Sequence, residues 1–235
     1  MEPVSENRNL RISIQVSWSG YSFKVTDAKS GTVLGRSEGW LRPGDVFTTP
    51  EFQRSYAGGV DLALMTPKFA LVPQAFLAPG EEREALSEVA DLDPTDPVSS
   101  IPLPAYGAKL VYSLAVGETL SKVIAQSFPD AEGRPAQILP EMAFLLRDLQ
   151  TLPEYNKIFA SWADGRLYLA IAQGKSLQLA SSYPAPDFTT AQYYLFLAIR
   201  QLQINPEASA IHFRTPLTAE DELSLYRYFK SVVQL

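Results

Sequence analysis

Apolar positions along the chain alternate with polar ones in short runs, and these runs come in two clusters. In "RISIQVSW", Ile12, Ile14 and Val16 share one face, as a half-buried strand requires. Gly20 turns the chain, "YSFKVTD" alternates through Tyr21, Phe23 and Val25, and "KSG" turns it again into "TVLGRSEGW". This is an antiparallel meander. Short helices are expected within residues 43–59, limited by Pro50. "VDLALMT" and "KFALVP" read as strands and "PGEEREALSEVADL" as a helix with acidic residues in its first turn. The proline-rich "DPTDPVSSIPLPAYG" (93–107) reads as a long loop. Next come a strand at 108–116, a helix at 118–128, a short strand at "AQIL", and a helix "PEMAFLLRDLQTL" with Pro140 in its first turn.

A second meander then appears: "NKIFASW", "RLYLAIA" and "SLQLASSY", with turns at Asp164-Gly165 and Gly174-Lys175. Asp187 is placed to cap a helix over "AQYYLFLAIRQLQI", which is apolar nearly all round and is expected to lie buried between layers. "SAIHF" is a strand. The last helix starts near Thr218 and is expected to carry Leu225, Tyr226, Phe229, Val232 and Val233 on one face.

The 235 residues carry 46% hydrophobic and 20% charged side chains, an ordinary globular balance. A net charge of −6 lacks the basic footprint that nucleic acid requires, so no nucleic-acid partner is expected. With no cysteine, disulfides and thiolate metal sites are excluded, and one histidine leaves zinc poorly served. No metal or cofactor is therefore assigned. The polar start has no apolar core of a secretory signal, and no run approaches the roughly 18–20 apolar residues of a membrane span. A soluble, cytoplasmic protein is expected.

The stretch "SWSGYSFKV" (17–25) returns, altered, as "SWADGRLYLAI" (161–171). A dipeptide match between two strands is cheap by chance, but the element order around both copies also repeats. Both halves open with a three-strand meander followed by helix and strand–helix pieces. This resembles the duplicated ribonuclease H-like lobes of the actin-like ATPase fold, an α/β class with mixed sheets. The expected division is a tail at 1–9, a first lobe at 10–151 and a second at 152–235. "LRISIQVSWSGYSFKVTD", "KFALVPQAFL" and "RLYLAIAQGKSLQLASSYPAPDFTTAQYYLFLAIRQLQINPE" also resemble an uncharacterised Bacteroidetes family, a domain of unknown function with that fold. The resemblance implies the fold and no activity. More distant relatives by fold, a pilus scaffold ATPase and a cell-division actin homologue, are scaffolds at least as much as enzymes.

The fold resemblance implies where nucleotide would bind. Each lobe's first hairpin would hold phosphate, with an Asp near the end of the first strand and a glycine-rich turn admitting backbone N–H groups. Here Gln15 or Ser17 stands at the first Asp position, with Trp18 beside it, and Ser161 and Trp162 fill the second. Asp164 sits at the turn apex, where Asp-Gly is the ordinary hairpin choice. Where an adenosine-binding glycine pair is expected, "AIHFRTP" offers Arg214. Ser17, Trp18, Ser161, Trp162 and Asp164 are thus the candidate cleft residues, with the two tryptophans expected at equivalent positions, covering the strand ends or walling a small pocket. No catalytic residue is assigned. His212 reads as a satisfied core histidine, and Asp27 and Asp61 as carboxylates without acid–base pairing. Glu81-Glu82 and Glu220-Asp221-Glu222 read as helix-start acids. No nucleophile elbow or P-loop occurs. The expected function is a non-catalytic, degenerate actin-like scaffold binding an unknown protein partner or itself. The alternatives are a nucleotide-binding ATPase and a small-molecule-binding protein.

Overall fold

The computed structural model describes residues 9–115, 118–130 and 132–234. Residues 1–8 of the expected tail and Val116, at the end of the expected strand 108–116, lie outside the described residues. β1 (Leu10–Val16), β2 (Tyr21–Asp27) and β3 (Val33–Arg36) form the first meander, and β4 (Gly59–Leu64) runs parallel to β1. β5 (Phe69–Pro73), β6 (Val98–Leu103) and β7 (Ala108–Ser113) make a separate antiparallel sheet, covered by α1 (Glu82–Ser87). α2 (Glu118–Gln126) leads back to β8 (Ile138–Pro140), parallel to β4, and α3 (Glu141–Leu149) follows directly.

The second half repeats the design. β9 (Asn156–Ala163), β10 (Arg166–Gln173) and β11 (Ser176–Pro184) are the meander, α4 (Phe188–Gln201) crosses over, and β12 (Ala210–Phe213) runs parallel to β9. α5 (Ala219–Tyr226) then leads to β13 (Ser231–Gln234), parallel to β12. The two large sheets have orders β3-β2-β1-β4-β8 and β11-β10-β9-β12-β13, the same order when counted within each half.

Alternation sorts each sheet's faces. Ile12, Ile14, Val16, Phe23, Leu62 and Leu64 pack beneath α2 and the segment around Phe52. Ile158, Ala160, Leu169, Ile171, Ile211 and Phe213 pack beneath α4 and α5. The opposite faces look toward α3, whose Met142, Leu145, Leu146 and Leu149 are fully buried. Gly20 closes the first hairpin because no side chain fits there: a Cβ would stand 2.1 Å from the Leu41 carbonyl oxygen.

Three expectations need correction. The proline-rich segment holds β6, an edge strand that pairs with β7 on one side only, a position where proline such as Pro102 is tolerated. The last helix stops at Tyr226, and Val232 and Val233 belong to β13, where β-branched residues suit a strand. α4 is not buried all round: Ala191, Leu195, Ala198 and Ile199 face the sheet, while Tyr193 and Leu197 are exposed. Asp187 and Thr218 do cap α4 and α5, each side chain accepting a backbone N–H, from Thr190 and Asp221. Thr218→Ala is expected to cost about 1 kcal/mol and lower the melting temperature by roughly 2–4 °C, read by thermal denaturation.

Candidate functional site

Polar side chains gather where the inner faces of the two large sheets meet α3. On the first sheet, Asp61 of β4 is buried and accepts two guanidinium forks. Arg11 gives it bonds of 3.0 and 2.8 Å, and Arg147 of α3 gives bonds of 3.0 and 2.9 Å. Burial alone would raise the Asp61 pKa, but the two forks outweigh it and bring it down to about 2. On the second sheet, fully buried Glu141 at the start of α3 accepts from Ser161 Oγ at 2.6 Å and from Arg214 Nη1 at 2.7 Å. Burial pushes the Glu141 carboxyl upward, against the pull of Arg214 and Ser161. Asp148 lies 2.7 Å from Arg147 Nε and 3.5 Å from Arg214 Nε, and both guanidinium groups sit over the Phe144 ring. α3 is therefore a strut, holding one sheet through Arg147 and the other through Glu141.

The two first hairpins meet across the cleft. Met65 N–H donates to the Val16 carbonyl at 2.8 Å, and Arg214 N–H to the Ala160 carbonyl at 3.0 Å. By this register Val16, Ser17 and Trp18 match Ala160, Ser161 and Trp162. Both serines are fully buried. The second hairpin pairs further, to Ala163–Arg166, and closes at Asp164 (φ 47°) and Gly165 (φ 69°), as a two-residue turn with positive φ requires. The Asp164 carboxylate accepts the Ser19 backbone N–H at 3.1 Å and also the Ser19 hydroxyl. One hairpin's turn thus clasps the other's.

The tryptophans match in register but not in surroundings. β1 ends at Val16, so Trp18 stands on the turn, 76% exposed. Trp162 lies within β9 on the helix-covered face, edge-on to Phe188, with Nε1 donating to the Ala185 carbonyl at 2.9 Å. Trp162 thus packs against the start of α4 and not over the strand ends of the cleft, correcting that expectation for Trp162. Gln15 and Ser22 bond to each other on the cleft face. His212 is buried edge-on to Phe159 as expected of a core histidine, but its ring nitrogens make no hydrogen bond among the described residues. The nearest carboxylate oxygen, of Glu154, is 3.5 Å away, and burial lowers the histidine's pKa. Asp27 caps its own turn, accepting from the N–H groups of Lys29 and Ser30.

A cavity of about 30 Å³ lies between the halves, lined by Gln15, Ser22, Lys24, Arg36, Arg214 and Thr215 among others. That volume holds roughly two waters, since each needs about 10–15 Å³ on this measure. It adjoins a wider space of about 460 Å³ bordered by Trp40, Leu217, Glu38 and Glu222. Burial, with Arg214 nearby, lowers Lys24 to about 8. Reading the sequence missed Glu141, Arg147 and Lys24 and assigned Asp61 no role. Glu141 passes for an ordinary helix-start acid, and only the packing of α3 between the sheets reveals its burial. Among the described residues there is no grouping of three or more His, Asp or Glu suited to a metal ion. No described helix is long and apolar enough to cross a membrane.

A family model described as "Protein of unknown function (DUF3822)" matches residues 4–232. No curated protein sequence matches the chain. A crystal structure from Bacteroides thetaiotaomicron, of a protein with actin-like ATPase fold and unknown function, is similar over 100% of this chain and 94% of that one. Its TM-score is 0.64 at 15% identity. The cytoplasmic domain of EpsL, an inner-membrane component of the Vibrio cholerae type II secretion system, aligns over 89% of this chain and 83% of that one. There the TM-score is 0.48 at 14% identity. The fold is thus the actin-like ATPase fold, with the mixed α/β sheets expected from the sequence.

Proposed function

Since the chain belongs to the DUF3822 family and has the actin-like ATPase fold, we propose that it is a non-catalytic actin-like module that binds a protein partner. The observation that carries this reading is the clasp between the hairpins. In the fold's ATPases these turns would face phosphate, whereas here the anion accepting the Ser19 N–H is the chain's own Asp164 carboxylate. The inner cavity of about 30 Å³ is too small for a triphosphate, and Glu38 and Glu222 border the wider space beside it, where they oppose further phosphate charge. An exposed aromatic surface supports the partner role: Tyr193 and Leu197 of α4, Leu223 and Tyr226 of α5, and Tyr228. Tyrosine is favoured in protein interfaces. The division into lobes at 10–151 and 152–235 belongs to the same proposal and is supported by the repeated strand order.

Titration calorimetry with Mg-ATP to about 1 mM is expected to give no saturable heat. A ligand at its dissociation constant stabilises by only about RT ln 2, so the melting temperature should move by no more than about a degree. Micromolar ATP binding, or turnover, would overturn the non-catalytic reading. Affinity capture from the source cell is expected to retain a partner that Tyr193→Glu with Tyr226→Glu releases. A partner held equally by that variant would remove the aromatic surface from the proposal.

A further inference from the structure

The inner cavity concentrates positive charge in a chain of net charge −6. Lys24, Arg36 and Arg214 line it, and no carboxylate does. Arg214 is engaged by Glu141 and Asp148, whereas the side chains of Lys24 and Arg36 have no hydrogen-bond or ion-pair partner among the described residues. The surrounding carboxylates are already occupied: Asp61 by Arg11 and Arg147, Glu141 by Ser161 and Arg214, Asp148 by Arg147. Five cations therefore stand against three carboxylates, and any protonation of Glu141 widens the excess. Gln15 adds a polar wall: its side-chain oxygen accepts from Ser22.

We propose that this cavity is an oxyanion site taking one carboxylate or phosphoryl head group, with the neutral body of a small molecule in the adjoining space beside Trp40. The dimensions and the charges set both halves of the statement. About 30 Å³ admits a head group and no more. The adjoining 460 Å³ is ample for a small body, but Glu38 and Glu222 border it and oppose a second negative charge. A bound oxyanion would join β2 and β3, through Lys24 and Arg36, to the segment after β12, through Arg214 and Thr215, and so tie the two halves together. This goes beyond the scaffold reading and does not depend on it.

The test is calorimetry and thermal shift at pH 7 with inorganic phosphate, sulfate and acetate, each against sodium chloride of equal ionic strength. Saturable binding of at least one is expected. Phosphate and acetate tell a phosphoryl preference from a carboxylate preference. Lys24→Gln and Arg36→Gln are each expected to weaken binding about tenfold, the loss of one charge-assisted contact, while Lys175→Gln outside the cavity leaves it unchanged. Arg36 is exposed, so its variant carries the test if Lys24→Gln fails to fold. Three results would overturn the proposal: no response to about 20 mM of any of these anions beyond chloride, equal binding by wild type and Arg36→Gln, or Mg-ATP binding more tightly than any single-headed anion.

Discussion

Glu141→Leu is expected to destabilise the protein by about 3–5 kcal/mol, the range for removing one member of a buried ion pair. Glu141 is fully buried and Arg214 is 3% exposed, so the variant strands a guanidinium between two sheets. The nearest remaining carboxylate, Asp148, is 3.5 Å from Arg214 Nε, too far to replace a 2.7 Å charge-assisted bond. Ser161 Oγ, buried in β9, loses its acceptor as well. For a chain of this length the melting temperature should fall by roughly 10 °C. Glu141→Leu with Arg214→Leu is expected to recover most of the loss, because removing both partners leaves no unpaired buried charge. Glu141→Gln should fall between, since its amide oxygen can still accept from Ser161 while its N–H₂ opposes the Arg214 donors. Equal melting temperatures for wild type and Glu141→Leu would show that Glu141 is not a strut between the halves.

How much of this was legible in the sequence depends on distance along the chain. The meanders were, because period-two alternation in residues 10–27 and 156–183 is a local signal that burial on one face enforces. Asp187 as a cap was legible for the same reason, since the bond it makes spans three residues, and the start of α5 near Thr218 was legible too. β6 was not, since prolines mask an edge strand whose ladder bonds run to one neighbour only. β13 was hidden because "SVVQ" follows α5 after only four residues and extends its apolar pattern. The candidate site was legible in position more than in chemistry. The Ser-Trp repeat marked matching points in the two sheets, but what surrounds each tryptophan depends on how far the hairpin pairs and what helix covers it. The charges that anchor α3 to the two sheets come from partners 73 and 86 residues apart, and no local pattern announces them.

Asp61→Asn is expected to cost about 2–4 kcal/mol at pH 7, and the cost should depend on pH in a way that packing alone would not produce. In the folded protein Asp61 titrates at about 2, against an ordinary 3.8. A carboxylate depressed on folding contributes stability that is complete above its unfolded pKa and lost as pH falls through the folded one. A shift of this size corresponds to about 2 kcal/mol. The remainder of the cost arises because an asparagine N–H₂ would face the donors of Arg11 and Arg147. Urea unfolding of wild type and Asp61→Asn should therefore show a constant gap from pH 7 to about 5. The gap should narrow below about pH 4, with half of the electrostatic part gone around pH 3. Taking the difference removes the titration of every other carboxylate common to both proteins, including Asp96 and Asp130, which are also held below their ordinary values. A gap that stays constant down to pH 2.5 would mean that Asp61 acts by shape and hydrogen bonding, and the two guanidinium forks would lose their assigned role in holding α3 to the first sheet.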